Sequence, residues 1–197
     1  MPVVWRRVVI FFCSLIPLAF IVYQTLSQQL GADPASTIVL FTGEWALYFL
    51  FITLAVTPLR RLIKFRYLQF RWLQAHRRML GLFTLFYALL HVTAFLVFIL
   101  GLDVSRFAKE LIERPYILVT LPAIVLLIAL GITSTQNMMR RMGANWIRLH
   151  QSIYVIAILG WIHVLMQVRS SYFEATVLGV VLMLILSPRI YWALQRK

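Results

Sequence analysis

Carboxylates are scarce in this chain. Its 197 residues hold six Asp and Glu against nineteen Lys and Arg, and only 13% are charged, about half the ~25% usual for a soluble domain. The single cysteine, Cys13, excludes an internal disulfide, a CxxC pair and a cysteine-held cluster. No HExxH, P-loop or GxGxxG occurs, so zinc-protease and nucleotide-domain chemistry drop out. All six acids (Asp33, Glu44, Asp103, Glu110, Glu113 and Glu174) fall in or beside alternate connections, on one face of the expected bundle, and none is expected inside a membrane. That leaves no acid for a Ser-His-Asp set or for a proton-driven transporter, which usually carries an intramembrane carboxylate.

Apolar residues are abundant. They make up 62% of the chain, well above the usual ~45–50%. A soluble globule of this size could not hide so much apolar surface, and disordered chains are apolar-poor. Six runs, 8–26, 45–62, 79–100, 116–135, 147–168 and 172–192, each approach the ~20 residues that a helix needs to cross ~30 Å of hydrocarbon. The expected fold is all-α: a polytopic helix bundle with six transmembrane helices in a single domain over residues 1–197. Arg6 and Arg7 ahead of the first run imitate a signal peptide. No small-x-small site follows closely, so an uncleaved helix is expected, bent at Pro17.

The net charge of +13 would suggest nucleic acid in a soluble protein. Here the basic residues lie between apolar runs, and lipid is the partner they fit. Arg6 and Arg7, the Arg60–Arg78 connection, Arg140, Arg141 and Arg148, and the C-terminal Arg189, Arg196 and Lys197 carry fifteen cations and no acid; Arg106, Lys109, Arg114 and Arg169 share the other side with all the acids. By the positive-inside rule both termini are cytoplasmic. The outward connections are then 27–44, 101–115 and 169–173, too short for a catalytic domain. Thr42 is a candidate N-cap for the second helix. Residues 103–114 read either as a short interfacial helix or as a loop of alternating charge. The mixed charges of the outward connections suit a polar docking surface or serve only to solvate the loops.

Four histidines stand out. His91 and His163 lie inside the third and fifth runs, where an imidazole is costly without a partner. They sit 13 and 15 residues beyond Arg78 and Arg148, about 20 and 22 Å of helix rise. Two imidazoles at matched depth can hold a haem iron from both sides; the alternative is interhelical polar glue in a haem-free bundle. Without CxxCH, such a haem would be noncovalent. His150 lies near the basic side, 13 residues before His163, roughly 19.5 Å along an ideal helix but about 140° around it. His76 precedes Arg77-Arg78 and reads as a solvated loop histidine or as a partner of His150 for a second haem. Arg77 and Arg78 are candidates for contacts to haem propionates or a quinol headgroup.

An ordered set of short motifs carries a resemblance. It comprises Leu30-Gly31-Ala32-Asp33-Pro34, Phe41-Thr42-Gly43, Thr57-Pro58-Leu59, Arg77-Arg78-Met79-Leu80-Gly81-Leu82, Leu90-His91, Arg114-Pro115-Tyr116, Thr133-Ser134-Thr135-Gln136, and Trp146-x-x-Leu149-His150 running on through Tyr154 to His163. With these the chain resembles, over nearly its whole length, the MsrQ (formerly YedZ) family of the ferric-reductase-like transmembrane superfamily. The resemblance implies a multi-pass protein of the bacterial inner membrane, the haem-b subunit of a methionine sulfoxide reductase system. Electrons would come from the quinone pool or a cytoplasmic flavin reductase. They would pass to MsrP, a periplasmic molybdenum-cofactor enzyme that reduces methionine sulfoxide in oxidised periplasmic proteins. The family haem ligands map onto His91, His150 and His163, with one haem or two, and FMN is attributed to the family. His76 is not carried over from the MsrQ pattern; it stands near the first histidine of the superfamily's paired-histidine helix, at a spacing of 15 residues, slightly longer than the usual one. The chain would have no catalytic residues of its own, its chemistry resting in its cofactors. A ferric reductase or another cytochrome b subunit, with a different acceptor, would use the same histidines.

Overall fold

The computed structural model of the protein describes residues 3–62, 71–168 and 171–195. Lys64, Arg66, Arg169, Arg196 and Lys197, counted above for orientation, lie outside them. Among the described residues all regular structure is helical: α1 (Val3–Leu26), α2 (Pro34–Leu62), α3 (Arg71–Ala94) continuing into a π turn (Phe95–Ile99), α4 (Val104–Glu113), α5 (Pro115–Ile132), α6 (Gln136–Met142), α7 (Ala144–Gln151), α8 (Ile153–Gln167) and α9 (Phe173–Leu194). Six segments are long and apolar enough to cross a membrane: Trp5–Leu26, Pro34–Arg61, His76–Ile99, Pro115–Ile132, Ala144–Gln167 and Phe173–Trp192. Large apolar side chains point outward along them, among them Phe12, Val125 and Met183, at 63%, 64% and 70% exposure. A soluble protein does not tolerate such a surface; hydrocarbon does.

The second helix starts a full three turns earlier than its apolar run. Asp33 caps it, its Oδ1 accepting the Ser36 N–H at 3.0 Å, and Pro34 occupies the first helical position, where a missing N–H costs nothing. Thr42 is therefore not an N-cap. It is buried inside α2, its hydroxyl donating back to the carbonyls of Ile38 and Val39 at 2.8 and 3.0 Å. Glu44 moves with it. It is helical, within the Pro34–Arg61 segment, ten residues or about 15 Å past the helix start.

The chain forms two compact units. The first comprises residues 1–56 and 64–107. Its core joins Phe49, Val56, Leu80, Phe83 and Tyr87, with Phe49 stacked on Tyr87 (5.3 Å, 13°) and on Phe83 (5.6 Å, 26°). Tyr87 is fully buried. Its hydroxyl donates to Ser14 O at 2.8 Å and accepts the Leu18 N–H at 3.1 Å, so α3 is pinned to the backbone of α1 next to Pro17. The π turn ends at Gly101 and Leu102, two successive left-handed residues (φ 63° and 61°).

The second unit comprises residues 57–63 and 108–197. There α5 packs on α8 and α8 on α9, through buried residues such as Leu127, Ile156, Ala157 and Ala175. Thr135 caps α6 by accepting the Met138 N–H at 3.2 Å, and Gly143 (φ 52°) turns the chain into α7. Residues 103–114, left open between helix and loop, form α4. Asp103 Oδ1 caps it, accepting from the Ser105 hydroxyl and N–H at 2.7 and 2.8 Å. These bonds, the hydroxyl's first, hold the Asp103 carboxyl below its ordinary pKa. The charges of this stretch pair locally: Arg106 with Asp103, Lys109 with Glu113 and Arg114 with Glu110.

Candidate functional site

Each unit presents a half-buried imidazole in the same electronic state. In the first unit, His91 lies against α2, and its Nδ1 is 2.8 Å from the Val39 carbonyl. A carbonyl only accepts, so Nδ1 carries the proton and Nε2 the lone pair. The ring rests on Gly43, where a Cβ would stand 2.9 Å from Nδ1 and 3.0 Å from Cε1. In the second unit, His163 Nδ1 donates to the Tyr116 carbonyl at 3.0 Å, which again leaves the lone pair on Nε2. The Tyr116 ring meets the imidazole edge-on at 5.4 Å, and the Gln167 side-chain amide reaches Nε2 at 3.1 Å.

His150 is supported by a hydroxyl rather than a carbonyl: its Nε2 lies 3.2 Å from the Thr133 Oγ1, which also reaches Ala129 O at 2.7 Å. Trp146 stacks on the imidazole at 3.9 Å and donates its Nε1–H to Thr133 O at 2.9 Å. Ser152 separates α7 from α8, so the ideal-helix angle between His150 and His163 does not carry across it. His76 is 1% exposed on α3, so the solvated-loop reading is corrected. The apolar face of α3 starts before its hydrophobic run, and His76 and His91, 15 residues apart, lie about 60° from each other around one helix.

A metal-ligating histidine typically donates its second ring N–H to a carbonyl or carboxylate, which fixes the tautomer and raises the basicity of the ligating nitrogen. His91 and His163 meet that condition. Among the described residues no three His, Cys, Asp or Glu side chains gather as for a metal ion, so neither imidazole belongs to a zinc cage of three or four protein ligands. Each, taken singly, is of the kind a haem asks of a protein, since a haem brings its own ring donors.

The supporting residues were less visible in the sequence than the histidines. Val39 and Tyr116 contribute backbone carbonyls, which no side chain announces. Gly43, Gln167 and Trp146 had readable signals: a glycine inside a helix, and polar or aromatic residues four positions from His163 and His150.

Residues 42–161 match the family described as ferric reductase like transmembrane component. Curated relatives match over most of the chain. The protein-methionine-sulfoxide reductase heme-binding subunit MsrQ of Herminiimonas arsenicoxydans is 44% identical over 95% of this chain and 85% of its own length. The protein of the same name from Xanthomonas campestris pv. campestris strain B100 is 42% identical over 87% and 76%. That of Ralstonia nicotianae is 36% identical over 94% and 85%. No solved structure matches.

Proposed function

Within the ferric-reductase-like transmembrane family this chain belongs to the MsrQ heme-binding subunits, and we propose that it is the membrane electron carrier of a protein-methionine-sulfoxide reductase. His91 and His163 would hold a b-type haem. The observation that carries this reading is the shared state of the two imidazoles, each with Nδ1–H on a backbone carbonyl (Val39 O at 2.8 Å, Tyr116 O at 3.0 Å) and its lone pair on Nε2. Such an iron supplies one-electron storage at a potential set by its ligands. The chain's own residues hold the two imidazoles, set their basicity and keep the surroundings apolar.

His150 is the proposed ligand of a second haem on the basic side, with His76 or a non-histidine group opposite. Ligation through Nε2 requires His150 to give up Thr133. Replacing His150 with Ala should then lower haem per chain from two to one in a pyridine haemochrome assay; a single haem per chain in both proteins rejects the second site.

Both termini face the cytoplasm of a bacterial inner membrane, and electrons enter from the quinone pool or a cytoplasmic flavin reductase. They leave to a periplasmic MsrP-like molybdoenzyme that reduces methionine sulfoxide. FMN as a further cofactor rests on the family resemblance alone. The test is reconstitution: reduce the haem, add the molybdoenzyme with methionine sulfoxide, and follow reoxidation. Fast reoxidation that needs both components supports the reading. Haem that stays reduced there, yet is oxidised readily by other acceptors such as ferric chelates, moves the function to a different acceptor.

A further inference from the structure

Two glycines in different units do the same structural work. In α2, Val39 O accepts the His91 Nδ1–H at 2.8 Å and Gly43 lies four residues later. In α9, Ala175 O accepts the Trp161 Nε1–H at 2.8 Å and Gly179 lies four residues later. A helical side chain covers the turn on its N-terminal side, so residue i+4 shields the carbonyl of residue i. Glycine removes the shield. We propose that Gly43 and Gly179 are positioning residues, each opening a notch through which a ring N–H from the neighbouring helix reaches that carbonyl, and that the notches fix His91 directly and His163 through Trp161.

The clearances support this. A Cβ at Gly179 would stand 2.8 and 2.9 Å from Trp161 Nε1 and Cε2, as one at Gly43 would stand 2.9 and 3.0 Å from His91 Nδ1 and Cε1. Real Cβ contacts essentially never fall below 3.0 Å. Neither neighbour is a flexible chain end: both are rigid rings tied by hydrogen bonds, so a methyl group would turn or lift the ring and stretch its bond. Neither glycine has a positive φ, so the backbone does not call for glycine, and alanine is the better helix former. Gly81 is the contrast, its Cβ position meeting only Thr53 Cγ2 at an ordinary 3.7 Å. Trp161 precedes His163 by two residues on α8, so the α9 notch sets the rotation and height of the helix that carries the second imidazole.

The consequence for haem rests on the proposed function; the notch itself does not, and the experiment separates them. In the purified full chain, Gly43→Ala should weaken haem binding about ten-fold, the scale of a lost supporting contact to a metal ligand, and shift the low-spin ferric EPR g-values, which report ring orientation. Gly179→Ala should shift Trp161 fluorescence and weaken haem binding less, and Gly81→Ala should change neither. The second measurement is a thermal double-mutant cycle. Gly43→Ala should lower the melting temperature when His91 is present, and should be neutral or stabilising in a His91→Ala background, where the methyl group has room. If Gly43→Ala alone fails to accumulate, the double variant should restore expression. Equal destabilisation with and without His91, a double variant that does not recover, or unchanged haem affinity and EPR in Gly43→Ala would each overturn the positioning role. Coupling in the cycle from a protein that binds no haem would uphold the notch and sink the haem reading.

Discussion

His91 and His163 are held by different means to the same end. The His91 ring is trapped against bare backbone at Gly43, with its N–H on Val39 O. At His163 the acceptor is the Tyr116 backbone carbonyl, and the Tyr116 ring and the Gln167 amide flank the imidazole. The first support is steric and cannot relax without moving a helix. The second is built of rotatable groups. Under the proposed haem ligation, the soft seat would be the one to absorb misfit.

The largest test of that contrast is ligand removal. His91→Ala and His163→Ala should each lower haem affinity by more than about 100-fold, beyond the ~10–100-fold typical of supporting contacts. Imidazole in the buffer should restore the haem-b spectrum better in His91→Ala, whose notch stays open, than in His163→Ala, where Gln167 and Tyr116 can close in. Equal rescue would erase the distinction. A smaller effect of the opposite sign is expected at Gln167. Replacement by Leu removes a hydrogen bond that haem binding must break, net ~0.5–1.5 kcal/mol, so titrated haem affinity should rise about three-fold. Tyr116→Phe should change affinity less still, because the carbonyl remains and only the hydroxyl that accepts from Arg114 Nη1 at 3.0 Å is lost; a large drop would show that the ring edge outweighs the carbonyl. The smallest effect is a pH dependence at the α2 cap. Hydrogen bonds from Ser36, its hydroxyl first and its N–H second, hold the Asp33 carboxyl below its ordinary pKa. A carboxylate lowered on folding adds stability above the unfolded-state value and loses it as pH falls through the folded one. Asp33→Asn should therefore flatten the acid limb of the melting curve slightly.

The six spans and the deep histidines were legible because both are written in side-chain chemistry: long apolar runs, and costly imidazoles inside two of them. Helix starts were not. Residues 34–44 mix Ser, Thr, Gly and Glu with apolar residues, and that mixture reads as a loop until Asp33 and Pro34 are recognised as cap and first turn. His76 was misplaced for a related reason, since flanking arginines conceal that one face of their helix is already buried. The tautomers could not be read at all. They depend on the carbonyls of Val39 and Tyr116, which only packing brings to the rings.

The Tyr87 hydroxyl has a further consequence. Ser14 O and Leu18 N, the groups it bridges, are natural i, i+4 partners of α1. In the assembled chain that rung is tied to a phenol whose own residue lies 69 positions away, so the Leu18 amide senses the docking of α3 as well as the winding of α1. Its chemical shift and exchange rate form a built-in assembly gauge, readable by NMR in the wild-type chain and altered by Tyr87→Phe.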